Sequence, residues 1–187
     1  MNIYLKLFLK LFLAMGIPFG IVMGIFYSFQ YGFSVGLVAG LFAGILFGCF
    51  MSLILGFLHI RSVKQIPSGK PEEAMDVHHL RSIELQLPYD KAFNLCIESL
   101  SLIKKCKIQK ENRSQGKIIA KAGMTWKTWG DVISFDMRKI DNNRTQVTVS
   151  SRPIVRTTLV DCGKNLENVE KIIRFLKGHT ETAYNSR

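Results

Sequence analysis

The side chains in this sequence that could do chemistry are few and widely spaced. Cys49, Cys96, Cys106 and Cys162 form no CxxC pair, and none has a histidine at zinc-ligand spacing. They are expected to be free thiols in a reducing compartment. His78 and His79 are adjacent, so their rings point apart, and no third ligand lies near; no metal is expected. Gly163-Lys164 opens a helical stretch but lacks the rest of a phosphate-binding loop. Asp161 is better placed as the cap of that helix. Cys162 stands beside Lys164 at the same helix start, where positive charge favours thiolate, yet a buried structural thiol is the simpler reading. No Ser/His/Asp or Cys/His set and no pair of carboxylates is legible. The chain is therefore expected not to be an enzyme and to need no cofactor.

One constellation suggests binding. Trp126 and Trp129 flank Lys127, and Arg152 and Arg156 follow downstream. Aromatic rings among cations can stack on bases or sit at an anionic membrane surface. The second is preferred here, with nucleic acid disfavoured, because of what precedes these residues.

Between Lys10 and His59 there is no Asp, Glu, Lys, Arg or His. All 14 acids, and all but two of the 25 Lys and Arg, come after residue 60, so that part is net +9. The uncharged part holds two apolar runs, Leu11 to Phe29 and about Gly32 to Leu58. Nineteen helical residues reach about 28 Å, close to a hydrocarbon core. The break between them falls within Ser28-Phe29-Gln30-Tyr31-Gly32, whose aromatics suit a membrane–water interface. A cleaved signal peptide over 1–29 fits less well, because the run is long and no A-x-A site follows. Lys6 and Lys10 on one flank, Arg61, Lys64 and Lys70 on the other, and an uncharged turn between them place both ends in the cytoplasm.

Glycine recurs every four residues at Gly36, Gly40, Gly44 and Gly48, continued by Ser52 and Gly56. Gly16, Gly20 and Gly24 form a shorter row around Pro18, which is expected to kink the first helix. Such a glycine zipper lets another backbone approach closely. The two rows can pack within one chain, and the longer row can also build a homo-oligomer.

After a connector at 59–80 the pattern changes. Arg81 to Leu87 alternates as a strand, with Asp90 as helix cap and an apolar stripe from Phe93 to Ile103 behind it. Short strands follow at Lys107 to Lys110, Lys117 to Ala122, Asp131 to Ile140 and Arg144 to Ser151, and Asp141-Asn142-Asn143 is a hairpin turn. A last helix runs from Lys164 to Lys177, stopped by Gly178 before a polar tail. The expected fold is a membrane α-hairpin (1–58), a juxtamembrane linker (59–80), a cytoplasmic α+β domain (81–178) and a tail (179–187). The α+β domain is an antiparallel sheet with two helices on one face.

This element order over 81–178 resembles the small helix-grip domains, whose long helix lies in a curved sheet. The strings Gly123 to Gly130, Ser150-Ser151-Arg152-Pro153 and Asp161 to Asn165 also resemble a pattern of uncharacterised bacterial two-helix membrane proteins, and imply no activity. The helix-grip resemblance implies an apolar or lipid-like ligand. The functional expectation is a membrane-tethered cytoplasmic interaction or lipid-sensing module, integral to the inner membrane. The alternative is an oligomeric membrane structural protein.

Overall fold

The computed structural model describes residues 2–67, 72–73 and 76–185, with residues 180–185 by backbone alone. It divides into two compact units, one holding the two N-terminal helices and the other holding everything from Asp76 onward. Within 59–80, residues 68–71 and 74–75 lie outside the described residues, and so do residues 186–187 of the tail.

In the first unit, α1 (Ile3–Tyr31) and α2 (Phe33–Lys64) are antiparallel neighbours joined by Gly32 alone. Its φ of +86° lies in the region that favours glycine, so one residue suffices to reverse the chain. Asn2 starts α1 by accepting a hydrogen bond from Tyr4 N through Oδ1 at 3.0 Å. The helix continues through Pro18.

The two glycine rows lie against each other. A Cβ on Gly16 would stand 2.7 Å from Gly44 O, one on Gly20 2.8 Å from Gly40 O, and one on Gly48 3.0 Å from Gly16 Cα. Only hydrogen in place of a side chain allows that approach. Burial is accordingly inverted. Gly36, Gly40, Gly44, Gly48, Ser52 and Gly56 are buried, whereas Leu13, Ile21, Leu41 and Leu53 are each more than half exposed. The Phe19 and Phe47 rings stack at 4.1 Å beside the rows.

The second unit runs β1 (His79–Leu85), α3 (Tyr89–Ser99), a 3-10 turn (Leu100–Leu102), β2 (Cys106–Asn112), β3 (Lys117–Ala122), β4 (Asp131–Lys139), β5 (Thr145–Pro153) and α4 (Lys164–Asn185). The strands form one antiparallel sheet in the order β1-β5-β4-β3-β2. Period-two alternation turns Ile118, Ile133, Phe135, Val147 and Val149 inward, where they are buried. α4 lies along β1 and β5 and touches α3, which packs against β4. Val169, Ile172 and Leu176 from α4 and Phe93 from α3 join the strand residues in one cluster. Each such burial contributes about 1.5–3 kcal/mol.

Two local expectations are revised. Pro88 rather than Asp90 occupies the cap position of α3, and Asp90 sits in the first turn, paired with Arg113 at 3.2 Å. α4 does not stop at Gly178 but continues to Asn185. A Cβ added at Gly178 would meet nothing within 4 Å, so no close approach there demands a stop, and the His179 ring packs on Phe175 at 4.2 Å across it. Pro153 is the last residue of β5 and ends it, although β5 is an interior strand of the sheet.

Candidate functional site

The segment between β3 and β4, residues 123–130, is held in a tight self-bonded loop. Thr125 N donates to Thr128 O at 2.9 Å, and Thr125 Oγ1 accepts from Lys127 N and Thr128 N. Thr128 Oγ1 accepts from Gly130 N at 3.0 Å. These bonds leave the two indoles outside: Trp126 is 80% and Trp129 74% exposed. Gly130 closes the loop at φ +104°, and a Cβ there would lie 2.9 Å from Ala122 O. Its carbonyl accepts from Ile154 N at 3.0 Å, so the segment after β5, with exposed Ile154, Val155 and Arg156, lies beside the tryptophan loop.

Beneath the loop is a buried polar network. Asp131 opens β4, Ser151 is in β5, Asp161 precedes α4, and Asn165 and Asn168 lie in its first turns. None of the five has exposed surface. Asn165 Nδ2 donates to Asp131 Oδ1 at 3.2 Å and to Asp161 Oδ2 at 2.8 Å, and Asn168 Nδ2 donates to Asp131 Oδ2 at 3.1 Å. Ser151 Oγ donates to Asn165 Oδ1 at 2.6 Å. Asp161 caps α4, accepting from Gly163 N at 3.0 Å and Asn165 N at 2.8 Å. The three strings singled out in the sequence, 123–130, 150–153 and 161–165, thus converge on one cluster.

Burial pushes the Asp131 carboxyl above the usual carboxylate range, against the hydrogen bonds from Thr128 and Asn168 that favour its charge. Burial also raises the Cys162 thiol, with Lys127 opposing, so this cysteine is not an activated thiolate. Cys162 holds a left-handed backbone, φ +51°, next to Gly163 at +68°. Among the described residues no group of three His, Cys, Asp or Glu is placed to hold a metal. With no exposed surface the network cannot meet a substrate. Its chemistry is positioning: it ties β4, β5 and α4 together under the exposed loop.

Of the five expected surface residues, Trp126, Lys127 and Trp129 share the loop, and Arg156 lies on the adjoining segment. Arg152 sits on the outward face of β5, opposite Val132. Lys127 is engaged: its Nζ stands 3.8 Å from Glu167 and 5.6 Å from the Trp126 ring centroid. Glu167 is also bonded by Lys171 and paired with Lys164 at 3.6 Å. Sequence reading missed Asn168 and the partnership of Asp131 with Asn165. The only signal was that these polar residues fall at apolar-phase positions of β4 and α4.

No family model and no curated protein matches this sequence. Solved structures of similar shape exist. An uncharacterised protein from Bacillus thuringiensis is 9% identical, with 55% of this chain and 98% of that one covered and a TM-score of 0.43. A Streptomyces aromatase/cyclase is 14% identical, with 56% and 93% covered and a TM-score of 0.42. A START superfamily protein from Mycobacterium smegmatis is 10% identical, with 57% and 98% covered and a TM-score of 0.42. The expectation that this chain is not an enzyme is corrected by the second of these: a similar structure is that of an aromatase/cyclase, and an enzymatic role stays open.

Proposed function

We propose that this chain is a two-span membrane protein whose second unit is an interaction module working at the membrane surface. The observation that carries this reading is the inverted burial of the hairpin, glycine inside and leucine, isoleucine and phenylalanine outside, along helices free of charge from Leu11 to Leu58. In water such a surface is a severe liability. In hydrocarbon it is the expected solution, because helices there associate by close packing rather than by hiding apolar side chains. Both helices are long and apolar enough to cross a bilayer.

Residues 1–58 are then the spanning hairpin, 59–80 the connector and 81–178 the working domain. Positive flanks at Lys6, Lys10, Arg61 and Lys64 favour a cytoplasmic domain. Its partner is the anionic inner leaflet, met by Trp126, Lys127, Trp129, Arg152 and Arg156. Docking is preferred to engulfing an apolar ligand, because the described side chains between helices and sheet pack as one cluster. The oligomer reading loses support: Gly36, Gly40, Gly44 and Gly48 face Gly16, Gly20 and Gly24 of the same chain. Alkaline extraction of membranes, with reporter fusions after Gln30 and after the last residue, tests the proposal. The protein should stay with the membrane and the two fusions should report opposite sides. Release into the wash, or a periplasmic C-terminus, would remove it.

A further inference from the structure

The strand register assembles a row of cations that the linear sequence disperses. Lys107 on β2 stands opposite Lys121 on β3, Lys121 opposite Val132 on β4, and Val132 opposite Arg152 on β5. The neighbours Ala120, Ala122, Ile133 and Ser151 are buried, so alternation turns this row to the outer face of the sheet. Lys121 is two residues before Gly123, Val132 two after Gly130, and Arg152 two before Ile154. The row therefore runs immediately behind the tryptophan loop. Lys105 adds a cation at the same corner. Its carbonyl accepts from Gly123 N at 3.1 Å, and its side chain passes 3.0 Å from where a Gly123 Cβ would stand. Lys105, Lys107, Lys121 and Arg152 make no ion pair among the described residues, whereas Lys127 is held by Glu167. Two lysines directly opposite each other repel, and an anion between them relieves that repulsion. Ahead of the row, Met124, Trp126, Trp129, Ile154 and Val155 are all exposed.

We infer that this edge is a bilayer-insertion surface: the apolar tip enters the headgroup region, and Lys107, Lys121 and Arg152, with Lys105, bind the phosphates of anionic phospholipids. The inference rests on the membrane-surface reading above, keeps Arg152 from it, and adds Lys105, Lys107 and Lys121 as the residues that carry most of the electrostatic contact. Indole at the interface and cations at the phosphate level are what a leaflet accommodates. The leaflet is preferred to nucleic acid because the same chain carries two helices fit to cross a bilayer.

Trp126 and Trp129 are the only two tryptophans in the chain, so emission of the full-length protein reports this tip alone. The experiment places the full chain in nanodiscs of brominated anionic or brominated neutral phospholipid and reads tryptophan quenching. Quenching is expected in anionic discs, with loss in about 1 M salt, where the screening length falls to about 3 Å. Lys107→Gln/Lys121→Gln should lower the docked-to-free ratio roughly 30-fold, at about a fivefold loss for each lysine. The control, Lys117→Gln/Lys139→Gln, removes the same charge from the opposite end of β3 and β4 and should change it little. Circular dichroism of both variants checks that each keeps the wild-type fold. Quenching that survives both pairs, or falls equally with both, overturns the lysine row but leaves surface docking standing. Equal quenching in neutral discs, or none in anionic ones, overturns both. An emission shift with added RNA but not with anionic lipid would also overturn it and assign the row to nucleic acid.

Discussion

Asp131 and Asp161 are carboxylates without exposed surface, and each is surrounded by donors rather than by a countercharge in direct contact. Asn165 is the shared member, bonded to both and to Ser151. Asn165→Ala should therefore destabilise the second unit by about 2–4 kcal/mol, because it strips donors from two buried acids at once. Near-ultraviolet circular dichroism of the full chain in mild detergent would measure it. A loss below about 0.5 kcal/mol would mean that the network does not hold the loop. The raised pKa of Asp131 has a defined sign. The folded state binds that proton more tightly than the unfolded chain. The associated stability is full below the ordinary value of 3.8 and is lost as pH rises through the raised folded value. Asp131→Asn removes this component, so its stability relative to wild type should improve as pH rises through that window. A relative loss over the same window would contradict the assignment. Glu167 runs the other way. Burial raises its carboxyl, but Lys171, Lys164 and Lys127 together bring it below the usual range, so its contribution is lost on acidification.

At the level of elements, the hairpin depends on the absence of side chains. Gly40 and Gly44 each place a would-be Cβ within 2.7–2.8 Å of a carbonyl on α1. Gly44→Leu must separate the helices, whereas Leu41→Ala acts on a face that is 62% exposed and should do little. Electrophoretic mobility or cysteine cross-linking across the hairpin would separate the two cases. Equal behaviour of both variants would deny the glycine contact. The β2 edge shows the complementary device: exposed Lys107 and Lys110, and a register shift between Ile108 and Lys110, discourage strand addition by another chain.

On the whole-molecule scale, orientation rests on where the cations lie relative to the two helices. Gln30→Lys with Tyr31→Lys would place two charges in a turn that has none, while Lys6→Gln with Lys10→Gln would empty the N-terminal flank. The four together should yield a mixed population of reporter topologies, because the charge difference that sets orientation nearly vanishes. A variant that keeps the parent topology would show that the segment from Arg61 onward decides it alone.

How much of this was legible in the sequence differs with the range of the interaction involved. The two apolar helices, the turn at Gly32, the β-α-β-β-β-β-α order and Asp161 as a cap all rest on local periodicity and local hydrogen bonding, which neighbouring residues determine by themselves. α4 runs past Gly178 because a single glycine costs a helix only about 1 kcal/mol, and the Phe175–His179 contact carries the helix across it. Long-range pairing lies beyond such patterns. Asp131 and Asn168 are 37 residues apart, and only the packing of α4 over the sheet brings them to 3.1 Å. The same packing spends the charge of Lys127 on Glu167, 40 positions away, while the β2-β3-β4-β5 register aligns Lys107, Lys121 and Arg152 on one outward face. The number of cations was fixed by the chain's composition, but which of them stand unpaired beside the tryptophans was decided by strand register and helix docking, because a charge is neutralised by its neighbours in space and not by those in sequence.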